Sequence, residues 1–172
     1  MIRKLIGINV GWLRQARTLV DQMDDAAFAT SPKGFEPHRV GSHLRHVLEF
    51  YECFLDGLPT GRIDYDNRQR DVTVEKSRRA AVARINDIIQ LLEHETAHSD
   101  GAAISVRMEN AEADAFLMSS VERELQALSS HTIHHFALIA VTLRLHGCHI
   151  DPDFGMSPST LRYQAARSIE AA

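Results

Sequence analysis

The apolar residues of this 172-residue chain recur every three or four positions in four long stretches, and this spacing constrains the fold most strongly. Such a spacing places apolar side chains along one face of an α-helix. The four predicted helices cover residues 2–28, 41–57, 74–98 and 119–147. Helices of this kind bury their apolar faces against one another. The sequence therefore predicts an all-α four-helix bundle, formed by a single domain over residues 1–172.

Turn residues and shorter patterns punctuate these helices. Gly147 is expected to end the fourth helix, because glycine readily adopts the left-handed conformation that follows a helix end. Ser42 is expected as the N-cap of the second helix. Residues 104–108 alternate apolar and polar side chains, which predicts a short extended segment. After the bundle, residues 159–169 are expected to form a short final helix.

Two connecting segments have more than one interpretation. Residues 61–74 are polar and charged, which predicts a long solvated loop, with an active-site rim or a subunit contact as the alternative. Residues 154–162 are apolar enough to pack back on the bundle. There they could close a pocket or cross to a partner chain, and the sequence does not choose between these roles.

Composition and charge argue against several other classes of protein. Aromatic residues make up 6 % of the chain, with nine glycines and five prolines, which disfavours a sandwich or barrel of many short strands. The formal net charge of −4 disfavours nucleic acid as a partner. No apolar run approaches the roughly 20 residues that cross a bilayer. Cys53 and Cys148 do not make a secreted disulfide scaffold, so we expect a cytoplasmic protein, with Cys53 as an apolar filler.

Histidine accounts for ten residues, and two of them stand one helical turn apart in the fourth predicted helix. The side chains of His131 and His135 therefore project side by side from one face. Two imidazoles placed in this way can chelate one divalent ion. Thr132 stands where a zincin has its glutamate, so the sequence does not predict a site of that type.

A second histidine cluster lies in the second predicted helix. His43 and His46 are three residues apart and occupy neighbouring positions on one face, so either could supply a third ligand. Three histidines from two helices, with coordination positions left open, are typical of a catalytic rather than a structural metal. The other histidines are interpreted as loop or helix-end residues that bind no metal: His38, His94, His98, His146 and His149.

With both clusters considered, the sequence resembles the DinB-like, or YfiT-like, superfamily of four-helix metalloproteins. The resemblance covers residues 2–147 and rests on two motifs: His43-Leu-Arg-His46-Val-Leu-Glu-Phe-Tyr-Glu-Cys-Phe-Leu and His131-Thr-Ile-His134-His135. It implies an up-down-down-up bundle that forms a homodimer. It also implies that His46, His131 and His135 hold a divalent metal, for which Zn²⁺, Ni²⁺ and Fe²⁺ are all suitable.

The same resemblance implies a metal-dependent enzyme that activates water or a thiol. The expected chemistry is that of a transferase or a hydrolase, acting on a small-molecule substrate with a low-molecular-weight thiol as a candidate partner. Two other functions stay open at this stage. One is a non-catalytic metal- or ligand-binding bundle, and the other is a dimerisation scaffold in which the histidines are incidental.

Two further residues are candidates for catalytic roles. Glu49 lies one turn after His46 and could orient a ligand imidazole or act as a base, with a solvated surface carboxylate as the alternative. His134 could contact the substrate or a ligand, and a surface position is its alternative interpretation.

Overall fold

Seven α-helices, one 3₁₀-helix (Leu58–Thr60) and three short strands make up the structure described by the computed structural model, which covers residues 1–95, 102–108 and 115–170. The helices are α1 (Ile2–Gln22), α2 (Asp25–Ala29), α3 (Val40–Gly57), α4 (Val72–Lys76), α5 (Arg78–Glu95), α6 (Val121–Leu145) and α7 (Pro158–Glu170). The strands are β1 (Arg62–Asp64), β2 (Ala103–Arg107) and β3 (Leu117–Ser120). The chain is therefore mostly helical, as the periodicity predicts.

The first and third predicted helices are each divided in two. Asp24 accepts a hydrogen bond from the backbone N–H of Ala27 at 2.7 Å, so it caps α2 and separates it from α1. Asp71 caps α4 in the same way by accepting from Thr73, and α5 then begins at Arg78. The predicted extension of this helix to residue 98 lies outside the described residues beyond Glu95.

The second predicted helix begins earlier than its sequence suggests. The N-cap of α3 is Arg39, so the prediction that Ser42 is the N-cap is wrong. Ser42 lies in the first turn instead, where its Oγ accepts from the backbone N–H of Arg39 at 3.3 Å and donates to the Arg39 carbonyl at 2.9 Å. Gly41 faces the backbone of α4 so closely that an added Cβ would lie 2.0 Å from the Glu75 carbonyl oxygen. This contact fixes α4 against the start of α3.

The fourth predicted helix is α6, which begins two residues later and ends two residues earlier than the predicted range of 119–147. The Ser120 Oγ accepts from the backbone N–H of Arg123 at 3.2 Å and caps α6. At the other end Gly147 has φ +76°, the left-handed conformation that glycine adopts without a Cβ penalty. Its N–H bonds to the Arg144 carbonyl at 3.0 Å and closes the helix.

The long helices pack so that α1 contacts α5 and α6, and α3 contacts the same two helices. Their apolar faces supply a continuous core in which the following residues are fully buried: Leu13, Leu44, Phe54, Ile85, Leu92, Leu125 and Phe136. None of the described helices combines the length and apolar character that a membrane crossing needs. The pairing of α3 with α6 positions the candidate site, because both histidine clusters lie on these helices.

A three-stranded sheet, in the order β1-β2-β3, departs from the all-α prediction. β1 is parallel to β2 in the register Arg62↔Ser105, and β2 is antiparallel to β3. The predicted extended segment is β2. The prediction of a long solvated loop over residues 61–74 is wrong, because that stretch contains β1 and the start of α4, and it buries Ile63 and Tyr65.

The chain after α6 packs back on the helix that precedes it. Phe154 is buried and its ring stacks on Phe136 at 4.8 Å between centroids. Gly155 lies so close to α6 that an added Cβ would meet the backbone of Ala137 at 2.7 Å. The predicted final helix is α7, although it begins one residue earlier, at Pro158. The tail therefore covers α6 near Phe136.

Candidate metal centre

Two helices bring three imidazoles together on the inner side of the fold. His46 comes from α3, and His131 and His135 come from α6. One ring nitrogen from each residue lies within 4.8 Å of the other two. The ring centroids are 4.6 to 4.9 Å apart, and all three side chains are half-buried. This group could hold a metal ion, and it contains the three histidines that the sequence analysis selects as ligands.

The spacing of two ring nitrogens fits a shared ion. The Nε2 atoms of His46 and His131 are 3.2 Å apart. Two nitrogens bound to one tetrahedral Zn²⁺ at ordinary bond lengths lie about 3.3 Å apart. The Nδ1 of His131 is buried and has no hydrogen-bond partner among the described residues. Nε2 of His131 is therefore the nitrogen whose position fits an ion shared with His46.

The protonation state of these side chains also suits metal binding. Burial, followed by the repulsion of neighbouring imidazoles, lowers the pKa of His131 to about 4 and that of His135 to about 3. Both rings are therefore neutral near pH 7, and a neutral imidazole is the form that binds a metal. The residues present fit a divalent ion in geometry, donor type and charge state.

His43 lies next to the three-histidine group and outside it. It is buried, with 9 % of its surface exposed, and its Nδ1 is 3.1 Å from Nδ1 of His135. Its Nε2 is 3.2 Å from Nδ1 of His38. Burial and the nearby histidines lower the pKa of His43 to about 4. The structure therefore places His46 in the candidate ligand set and gives His43 a contact with a ligand.

Aromatic residues form one wall of the site. The ring of Phe50 stacks on His131 with centroids 4.1 Å apart, and it also stacks on Tyr65 at 5.1 Å. The guanidinium of Arg68 lies 5.0 Å from the Phe50 ring centroid, and Arg68 Nη1 donates to the Tyr65 carbonyl. The segment after β1 therefore packs on Phe50, the ring that stacks on His131, which favours the rim interpretation of residues 61–74 over that of a fully solvated loop.

Glu49 is buried, which excludes its interpretation as a solvated surface carboxylate. Only 3 % of the residue is exposed, and Oε1 lies 3.4 Å from Nε of Arg45. Burial raises the pKa of the Glu49 carboxyl, and the nearby Arg45 and Arg68 offset part of that rise. Glu49 is not part of the three-histidine group. Its predicted role as a base or an orienting group stays a prediction.

The remaining histidines occupy varied positions. His134 is exposed, with its ring centroid 5.2 Å from that of His135, so its predicted contact with substrate stays a prediction. His146 contacts the Thr30 carbonyl at the end of α6, and His94 is exposed in the last turn of α5. His149 lies in the loop that follows α6, and His98 lies outside the described residues. His38 lies in the loop before α3, as predicted, and its ring contacts His43.

A buried polar network beneath the site has no counterpart in the sequence analysis. The Tyr51 hydroxyl donates to Oδ1 of Asn9 at 2.7 Å and lies 3.1 Å from the Thr132 hydroxyl. Asn9 Nδ2 donates to the Leu125 carbonyl at 3.0 Å. The network connects α1, α3 and α6, and it reaches α6 at Thr132, the residue after His131. The sequence carries one sign of this network, since Asn9 interrupts an otherwise apolar face of α1.

The fold and the three-histidine group together define a mostly helical protein with a candidate metal site. A family model described as the DinB superfamily matches residues 12–139, which is more than half of the chain. The chain belongs to the DinB superfamily. The match includes α3 and the part of α6 that carries His131 and His135, so all three candidate ligands lie within the residues that the family model matches.

One curated relative is similar to part of this chain. It is the protein named FK506-binding protein 5 from the fungus Rhizopus delemar, 33 % identical over 105 residues. That match covers 59 % of this chain and 27 % of the relative. Since this chain spans so small a share of the fungal protein, the similarity transfers no activity.

Proposed function

We propose that this protein is a divalent-metal-dependent enzyme of the DinB superfamily whose metal ligands are His46, His131 and His135. The observation that carries the proposal is the convergence of these three imidazoles within 4.8 Å across two helices. Zn²⁺, Ni²⁺ and Fe²⁺ all bind imidazole well, so the donor set accommodates each of them. The proposed reaction is transferase or hydrolase chemistry on a small molecule.

The charge of the site supports this chemistry. A divalent ion held by neutral imidazoles keeps its full positive charge and brings the pKa of a bound water or thiol towards neutrality. The proposed partners are therefore a small-molecule electrophile and a low-molecular-weight thiol or water. Phe50 covers one face of the His131 ring, and Tyr65 stacks on Phe50 in turn. Glu49 is the proposed base, because its raised pKa brings proton exchange closer to neutral pH.

The proposal extends to the finer architecture. We infer an up-down-down-up arrangement of α1, α3, α5 and α6, supported by the packing of α1 and α3 against the same two helices. We also propose a homodimer. Light scattering of the purified protein measures the mass in solution and would contradict this part of the proposal if it gave the mass of one chain.

Metal analysis of the purified protein tests the ligand assignment. The wild type, reconstituted separately with Zn²⁺, Ni²⁺ and Fe²⁺, should bind close to one ion per chain. His46→Ala, His131→Ala and His135→Ala should each lower the bound metal below stoichiometry. His94→Ala is the matched control, because His94 is exposed on α5. Circular dichroism of each variant separates loss of metal from loss of fold.

A turnover screen then tests the reaction class. The metal-loaded protein is assayed with a thiol plus an electrophile, and separately with ester and amide substrates. Turnover that disappears in His135→Ala supports the enzyme. Stoichiometric metal without any turnover would favour a non-catalytic metal-binding bundle. Sub-stoichiometric metal under all conditions would leave the histidines incidental and overturn the proposal.

A further inference from the structure

We infer that His43 and His38 extend the candidate metal centre as a chain of hydrogen-bonded imidazoles that fixes the tautomer of His135 and thereby sets its affinity for metal. The inference rests on the proposed function, since it concerns how one proposed ligand is prepared. His43 and His38 are assigned as positioning residues here. Neither belongs to the three-histidine group.

The chain of imidazoles runs without a break from His135 through His43 to His38, towards the surface. His43 uses both of its ring nitrogens: Nδ1 lies 3.1 Å from Nδ1 of His135, and Nε2 lies 3.2 Å from Nδ1 of His38. The rings of His43 and His38 are almost parallel, at 12°, with centroids 5.3 Å apart. Each contact has the length of a hydrogen bond.

The backbone holds both residues in place. His43 lies in the first turn of α3 and is buried, so its ring has little freedom to turn away from His135. The backbone N–H of His38 donates to the Phe35 carbonyl at 3.0 Å, and the Phe35 ring lies 5.3 Å from the His38 ring. The residue that follows is Arg39, the N-cap of α3. The start of α3 therefore holds His38, the outer end of the imidazole chain, in place.

The protons of three neutral imidazoles can be arranged along these contacts in two directions. A neutral imidazole carries one N–H and one acceptor nitrogen. In the first direction His135 donates from Nδ1 to His43, and His43 donates from Nε2 to Nδ1 of His38. This leaves Nε2 of His135 without a proton and free to bind a metal.

In the second direction His38 donates to His43, and His43 donates to Nδ1 of His135. The proton of His135 then sits on Nε2, where it blocks coordination through that nitrogen. Metal binding through Nε2 of His135 therefore selects the first arrangement of protons, in which His135 donates to His43 and His43 donates to His38. Because His43 accepts the Nδ1 proton of His135, it stabilises the tautomer that binds metal and makes Nε2 a stronger donor.

Zinc affinity of the full-length protein, measured by competition with a chelator, tests this role. His43→Leu removes both contacts and should weaken Zn²⁺ binding roughly 10- to 100-fold. His43→Asn retains an acceptor near the position of Nδ1, so it should recover most of that loss. His38→Leu removes only the outer contact and should have a smaller effect than His43→Leu. His94→Leu is the control on α5, and the thermal unfolding of each metal-free variant reports packing separately.

The tautomers themselves give a second readout. Two-bond ¹H–¹⁵N correlation spectra of the zinc-loaded wild type should show His43 protonated at Nε2 and His135 at Nδ1. A His43 proton on Nδ1 would overturn the inference, and so would equal zinc affinity of His43→Leu and the wild type. If the wild type itself failed to bind zinc, Ni²⁺ or Fe²⁺, the proposed function would fail instead, so the two failures are distinguishable.

Discussion

The Nε2 atoms of His46 and His131 face each other at 3.2 Å across the contact between α3 and α6. In the absence of a metal, a single proton shared between them satisfies both nitrogens. Protonating both rings would place two positive charges in contact in a half-buried position. This is why the pKa of His131 falls to about 4, with burial as the larger cause and His46 as the next.

We predict that the metal-free protein loses stability as the pH falls from about 6.5 towards about 4. His43, His131 and His135 all have folded-state pKa values of about 3 or 4, whereas histidines of the unfolded chain titrate near the ordinary value of 6.5. Over that interval the unfolded chain binds protons that the folded chain does not. The free energy of unfolding therefore decreases with falling pH, and these groups contribute no further loss below their folded pKa values.

Urea unfolding at a series of pH values measures this dependence. The double variant His131→Gln/His135→Gln serves as the reference, because it removes two of the depressed groups and should show a shallower slope. Carboxylates contribute equally to both proteins, so the difference between the two curves isolates the histidines. Parallel curves would show that the imidazoles titrate normally in the folded state.

The Phe50 ring is predicted to support metal binding as well as packing. Phe50→Leu removes the stack on His131 at 4.1 Å and the stack on Tyr65, which should reduce stability by about 1 kcal/mol. Zinc affinity should fall by about tenfold, because the His131 ring loses a wall that orients it. Phe54→Leu is the matched control, since Phe54 is fully buried one turn later on α3. Equal zinc affinity in the two variants would contradict the prediction.

Local patterns in the sequence were sufficient to place the four long helical stretches and the histidine pair, although not the breaks that divide the first and third of them. The four-residue spacing of His131 and His135 fixes their common face on any α-helix. Ser120 and Gly147 bound α6 because capping and left-handed conformations depend on residue type at one position. These features need no knowledge of the rest of the chain.

The sheet and the outer histidines depend on contacts that local patterns do not encode. β1 has only three residues, and it is defined by its parallel pairing with β2, where Arg107 bonds the Asp64 carboxylate at 2.6 Å. Three residues are too few for a periodicity to be visible. His38 lies outside any helix, so only the folded path before α3 brings its ring to His43. Glu49 is also set in a tertiary contact, because Arg45 beside it pairs with Glu75 of α4 at 2.8 Å.

The Tyr51 hydroxyl is predicted to be a major contributor to stability. Tyr51→Phe leaves Oδ1 of Asn9 buried without its donor, which should lower the free energy of unfolding by about 1–3 kcal/mol. Tyr163→Phe is the control, because Tyr163 is 62 % exposed on α7 and should change stability by less than about 0.5 kcal/mol. Urea unfolding with the metal-free proteins measures both. Equal midpoints for the two variants would show that the network does not hold the helices together.

Glu49→Gln should separate metal binding from proton transfer. Glu49 lies outside the three-histidine group, so the variant should retain the stoichiometric metal that His135→Ala loses. The amide keeps the volume of the buried side chain but cannot take up a proton. Metal analysis of the two variants side by side measures this difference. A loss of metal in Glu49→Gln would show instead that Glu49 binds the metal or orients one of its histidine ligands.

The pH dependence of turnover then tests Glu49 as the base. A base must be deprotonated, so activity of the wild type should rise as the pH increases through the pKa of Glu49, which burial holds above the ordinary value for a glutamate. In Glu49→Gln that rise should disappear together with most of the activity. Asp66→Asn, an exposed carboxylate after β1, is the matched control and should keep the wild-type profile. If Glu49→Gln kept both the activity and the rise, the base would have to be another group, and the exposed His134 next to His135 would be the residue to substitute.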